Sequence, residues 1–177
     1  MPKLPMLLLA GLFPVMWGCS SAPIHYHTLV PAQPGAPVSG QVKVERVSMP
    51  PQVDRSQIVI RQGGSGLAIL ETEWWGANLV DEFRNALEDQ LGAPGAGAAL
   101  LRVDVQRFDS VPGQYALLDA RWRLQRRGSD KPLVCRSSLQ TPAGPSVEAL
   151  VVAQQANLRK LAEQVAQASA GASTRCP

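Results

Sequence analysis

Histidine and cysteine are scarce: the 177-residue chain holds two of the first and three of the second. Serine–histidine triads and multi-histidine metal centres therefore have almost no raw material. Aromatic residues make up 5 % of the chain and charged residues 18 %, below the usual quarter or so. Net charge is only +3, so self-repulsion does not hold the chain open. No apolar run reaches the ~18 residues that span a bilayer. What is present is an apolar share of 45 %, punctuated by 15 glycines and 15 prolines, in a length that suits one domain.

The N-terminus has the parts of a secretory signal. Lys3 precedes an apolar run from Leu4 to Trp17, and Gly18 closes it before Cys19. Pro5 and Pro14 work against one continuous helix there. Met16-Trp17-Gly18-Cys19 resembles a bacterial lipobox, in which the cysteine thiol is alkylated by a diacylglycerol before cleavage leaves it as the first residue. Gly18 fits the small side chain such signals carry before the cut, whereas Met16 and Trp17 depart from the usual Leu or Val and the usual small residue. The alternative is an ordinary signal cleaved nearby, with Cys19 incidental. Ser20 is not Asp, so the lipobox resemblance implies delivery to the outer membrane, facing the periplasm. On that reading residues 1–18 are the signal peptide and residues 19–24 a lipidated tether. The acyl chains on Cys19 would hold the membrane through roughly 0.8 kcal/mol per buried methylene.

With Cys19 assigned to lipid, Cys135 and Cys176 remain, an even count for an oxidising compartment. A bridge between them would tie down the C-terminal tail, residues 169–177, which shows no pattern of its own. The alternative is two unrelated thiols.

Between tether and tail, residues 25–168 read as a single α+β domain. His25 to Val30 is β-branched and aromatic, a short strand. The proline-rich stretch Pro31 to Gly40 is by composition a spacer. Val42 and Val44 alternate with charged neighbours as on a half-buried strand, and Met49-Pro50-Pro51 ends it. Ile58-Val59-Ile60 marks a more buried strand, Gly63 to Gly66 a turn, and Leu67 to Leu70 the return. The period then changes: Leu79, Phe83, Leu87 and Leu91 recur every four residues with polar residues between them, an amphipathic helix. Asn78 is placed to cap it and Gly92 to end it. Leu101, Val103 and Val105 alternate as a strand. A second strand sets Ala116, Leu118, Ala120, Trp122 and Leu124 inward and Leu117, Asp119, Arg121, Arg123 and Gln125 outward. Residues 131–140 return it, and Ser146 opens a second helix whose apolar stripe, from Val147 to Val165, is interrupted at Gln154. This order predicts a largely antiparallel or mixed sheet with the two helices packed on one face.

Chemistry is hard to find. Gly64-Ser65-Gly66 lacks the spacing of a nucleophile elbow, and no Lys-Ser or Lys-Thr follows the glycines to make a phosphate loop. His25 and His27 share one face of a strand, but no third or fourth ligand is visible and no metal or other cofactor is expected beyond the acyl groups on Cys19. Arg121, Arg123, Arg126 and Arg127 cluster near one strand's end. Behind a signal sequence they read as a solvated face, or as a contact for lipid head groups or a protein, not for nucleic acid. Trp74-Trp75 stands at a strand-to-helix junction, where Trp75 would plug the core edge and Trp74 could face an interface.

Several segments resemble one family. His25-Tyr26-His27-Thr28-Leu29 is similar to its tyrosine-bearing first strand, and Val44 to Pro50 to its strand ending in proline. Asp54-Arg55-Ser56-Gln57-Ile58-Val59-Ile60-Arg61 is similar to its Leu-Asp-Arg-Pro-Gln-Ile-Val segment, with Ser56 in place of the usual proline. Trp75-Gly76-Ala77-Asn78-Leu79 stands where the family has Trp-Ala-Glu-Pro-Leu. These are the PqiC-like auxiliary lipoproteins of ABC-type, MCE-containing transport systems. The resemblance implies an outer-membrane lipoprotein without enzymatic activity. It would dock with an MCE-domain subunit, assemble as a homo-oligomeric ring and support lipid transport and envelope integrity. It makes residues 31–40 a loop between two strands, and it suggests Asp54, Arg55, Arg61, Trp74 and Trp75 as assembly contacts. A structural lipoprotein aiding outer-membrane protein or lipopolysaccharide assembly is the rival reading.

Overall fold

The structure, a computed structural model, describes residues 21–33, 35–38, 41–171 and 175–177. The elements in chain order are β1 (His25–His27), β2 (Val42–Ser48), β3 (Gln57–Gln62), β4 (Gly66–Trp75), α1 (Leu79–Leu91), β5 (Ala99–Val111), β6 (Tyr115–Gln125), β7 (Leu133–Pro142) and α2 (Val147–Ala170). This is an α+β fold, with two sheets where the sequence pattern suggested one. A four-stranded sheet has the order β2-β5-β6-β7 and a three-stranded sheet the order β1-β4-β3. Both are mixed. β2 runs parallel to β5, and β1 parallel to β4; the remaining neighbours are antiparallel. The parallel β2–β5 pair needs a long crossover, and β3, β4 and α1 supply it.

Both helices lie on one face of the larger sheet. α1 packs on β2, α2 on β6 and β7, and the helices touch each other. Val103, Trp122 and Leu124 from the sheet meet Leu87, Leu91, Leu158 and Leu161 in one core. Trp122 donates its indole N–H to Ser137 Oγ at 2.9 Å, and Ser137 donates on to Gln164 Oε1 at 2.5 Å. A polar chain thereby crosses from β6 through β7 to α2 without leaving a buried donor unpaired.

Phe108 of β5 joins the two sheets. Its ring lies 6.4 Å from Trp75 of β4 and 6.3 Å from Phe83 of α1, both edge-on. That geometry suits the aromatic quadrupoles. The three rings are buried together.

The interruption of the α2 stripe has a cause. Gln154 and Asn157 are fully buried, and they donate to the main-chain carbonyls of Asp109 and Ala116, each at 3.0 Å. Asn157 Oδ1 also accepts from Thr141 Oγ1 at 2.7 Å. The chain turns between β5 and β6 at Gly113, whose φ of 72° suits glycine, and the two amides fasten that end of the hairpin to the helix.

Residues 28–33 and 35–38 form a strap over the helices. Glu82 of α1 accepts from Thr28 Oγ1 at 2.8 Å and from the Leu29 N–H at 3.0 Å. Gln155 and Arg159 of α2 donate to the carbonyls of Thr28 and Ala36, and the Val38 N–H donates to the Gln90 carbonyl. The proline-rich stretch thus joins two strands, as the resemblance implied and composition did not.

Local departures follow from such ties. β1 stops at His27 because Thr28 and Leu29 bond to Glu82 in place of a strand. β4 runs on to Trp75, past an irregularity in its pairing with β3, because it must also carry β1. Asn78 stands at the start of α1 but makes no side-chain cap; its Oδ1 accepts from Ser56 Oγ. Ser146 does cap α2, accepting from the Ala149 N–H at 3.1 Å. α2 continues to Ala170, two residues into the segment whose sequence shows no pattern.

Candidate docking surfaces

The small sheet gathers the residues singled out in the sequence. Asp54 is exposed and Arg55 half-buried, just ahead of β3, with the Arg55 Nε unpaired. The Trp75 N–H donates to the Ser56 carbonyl at 2.7 Å, which brings that turn against the end of β4. Trp75 is buried in the core, while Trp74 is half-buried and donates its indole N–H to the Glu71 carbonyl. Arg61 lies at the far end of β3 and pairs with Asp109 of β5 at 3.0 Å. Cys135 and Cys176 form a disulfide, joining β7 to the C-terminal residues. Cys19 lies outside the described residues.

Three charged clusters were not legible in the sequence. Glu73 of β4 accepts from His25 Nδ1 at 3.0 Å and from His27 Nε2 at 2.6 Å, one carboxylate clasping both histidines of β1. Those hydrogen bonds hold the Glu73 carboxyl below the usual glutamate range. The shared face of the histidines was visible from their spacing; their partner, over forty positions away, was not. Asp109 is buried and receives both Arg61 and Arg107. Among the described residues, no group of three histidine, cysteine or acidic side chains is arranged to hold a metal ion.

The third cluster lies on the face of the larger sheet opposite the helices. Arg102 of β5 makes a bidentate pair with Glu45 of β2, at 2.7 and 3.0 Å. Arg136 of β7 makes another with Asp119 of β6, at 2.9 and 2.6 Å. Asp119 was expected on the solvent side but is buried beneath that guanidinium. The hydrogen bonds from Arg136 hold its carboxyl below the usual aspartate range, against the opposing effect of burial. A carboxyl depressed by folding contributes stability above its unfolded value, about 3.9, and loses it as pH falls through the folded value. Asp119→Asn is therefore expected to flatten the acid limb of a stability–pH profile below about pH 4. Urea unfolding at stepped pH reads this, and an unchanged limb would remove the pair from the acid response.

Comparison with protein families decides the identity. The model of the family described as ABC-type transport auxiliary lipoprotein component matches residues 27–166, from the end of β1 to near the end of α2. The chain belongs to that family. As a transport auxiliary lipoprotein it shares its fold with solved structures of low sequence identity. One, a crystal structure of a protein titled only as uncharacterized, is 17 % identical with a TM-score of 0.66, covering 83 % of this chain and 99 % of its own. Another, a Xanthomonas campestris protein assigned to DUF330, is 20 % identical with a TM-score of 0.59, covering 80 % and 91 %. Comparison with curated proteins returns no match. No helix among the described residues of this family member is long and apolar enough to cross a membrane.

Proposed function

We propose that the chain is an accessory lipoprotein of an MCE-containing, ABC-type intermembrane lipid transport system. It is anchored in the outer membrane through Cys19 and faces the periplasm. It runs no reaction; it docks with the MCE-domain subunit, assembles with further copies in a ring and supports envelope integrity. Family membership over residues 27–166 carries this reading. The leader ending in Gly18-Cys19 supplies the anchor. Residues 25–168 then act as one folded unit, with residues 169–177 held to it by Cys135–Cys176. The small sheet is the assembly element: Asp54, Arg55, Arg61 and Trp74 present it, and Trp75 shapes it from within the core.

The test is membrane fractionation of the full-length chain, then affinity recovery in mild detergent. The wild type is expected to travel with outer membranes and bring down an MCE-domain subunit. Cys19→Ser is expected to lose labelled palmitate and leave the outer-membrane fraction, because a serine offers no thiol to carry the acyl chains. Retention of both, or recovery of a β-barrel protein alone, would sink the proposal.

A further inference from the structure

On the open face of the larger sheet, arginines stand opposite arginines. The register sets Arg46 of β2 beside Arg102 of β5, and Arg102 beside Arg123 of β6. One row along, Arg121 of β6 stands beside Arg136 of β7. Like charges directly opposite each other on adjacent strands are destabilising. The acids on the face relieve this only in part, with Asp104 standing opposite Arg121 in the β5–β6 register. Glu45 is engaged by Arg102, Asp119 by Arg136, and Asp104 by Ser48 and Gln106. Arg46, Arg121 and Arg123 are exposed and make no hydrogen bond or ion pair among the described residues. Each guanidinium therefore keeps five donors in a rigid fork, the geometry that receives a carboxylate bidentately. A cleft of about 190 Å³ lies beside Arg102 and Arg123.

The geometry points to this face as the docking surface for a protein that presents a row of carboxylates, namely the transport subunit. The choice of protein over lipid rests on the anchored reading above. The chain enters through β1, and Thr28 is tied to Glu82 of α1 and Gln155 of α2, the helices that cover the opposite side of the sheet. Six residues from Cys19 to β1 reach at most about 20 Å. The anchor therefore holds the helix side near the membrane and turns the arginines toward the periplasm. Complementary charge there sets the register and speed of encounter with an acidic partner.

The test titrates the purified full-length chain, in uncharged detergent, against the purified MCE-domain subunit. Arg121→Gln/Arg123→Gln is expected to raise Kd by about tenfold or more, and wild-type binding to weaken with rising salt. Arg123→Glu is the sharper variant. It removes one of two facing like charges and sets a carboxylate beside Arg102, so its Tm is expected to hold while its affinity falls, a pairing that a purely structural arginine would not show. Val152→Asp, on the exposed side of α2, is expected to leave Kd unchanged. Unchanged Kd in the arginine variants, with wild-type binding intact, overturns this inference and spares the proposed function. Loss of affinity in Val152→Asp alone moves the docking face to the helices and also overturns it. Failure of the wild type to bind the subunit overturns both readings. If the arginine variants bind the subunit normally but lose a preference for phosphatidylglycerol over phosphatidylcholine vesicles, the face reads lipid and the inference falls.

Discussion

Phe108→Ala is expected to lower the unfolding free energy by about 3–5 kcal/mol. The ring is buried, and its deletion removes two edge-on aromatic contacts, to Trp75 and to Phe83, each worth about 0.5–1.5 kcal/mol beyond area burial. Collapse cannot fill the void easily, because the two ring neighbours belong to separate elements, β4 and α1, and the ring itself to a third, β5. A domain of this size is stable by only about 5–15 kcal/mol, so the variant sits near the threshold of folding. Phe108→Leu, which keeps much of the volume, is expected to lose less and to remain folded. Urea unfolding followed by tryptophan fluorescence measures both variants. Hydrogen exchange should show β3 and β4 loosening more than β6 and β7, since Phe108 is where the small sheet meets the main core. A loss below about 1 kcal/mol, the centre for ordinary substitutions, would mean that backbone pairing alone holds the small sheet.

Removing the disulfide with Cys135→Ala/Cys176→Ala is expected to cost about 4 kcal/mol by the loop-entropy estimate for a separation of 41 residues. At about 2–4 °C per kcal/mol for a chain of this length, Tm should fall by about 10 °C. Alanine is the right probe at position 135, which is buried opposite Trp122 and would leave a serine hydroxyl in apolar surroundings. In the folded state the change is local. Arg126 still donates to the Gly171 carbonyl and holds the end of α2, while the last residues gain freedom. Differential scanning calorimetry and C-terminal proteolysis should therefore disagree in scale, with a large drop in Tm and cleavage confined to the tail. An unchanged Tm would show that the bridge constrains little in the unfolded chain.

The legible parts of the fold are those whose information is local. The four-residue recurrence of Leu79, Phe83, Leu87 and Leu91 places α1 without error, because a helix buries its stripe whatever it packs against. The alternation of Leu101, Val103 and Val105 locates β5 for the same reason. The division into two sheets was hidden, since it depends on β1 and β2 each choosing a parallel partner far along the chain. Leu117 and Asp119 look solvent-facing by parity yet are buried, one near the amide fastening of α2 and the other under Arg136. Gln154 broke a pattern for a reason that only the Asp109 carbonyl explains. The candidate surfaces follow the same rule. An arginine-rich strand could be read directly, but its facing of other arginines across β5 and β7 is a property of register.

The strap over the helices has a mechanical consequence. A pull on the residues ahead of His25 loads the three-residue pairing of β1 with β4 and the Glu73 clasp first, then the ties of Thr28 to Glu82 and Gln155. β5, β6 and β7 pair through long antiparallel ladders and are not in that path. The short strand is a fuse: it opens before the load reaches the larger sheet. Peeling residues 25–28 adds about 13 Å of slack, at roughly 3.3 Å per residue, and leaves the core intact behind it.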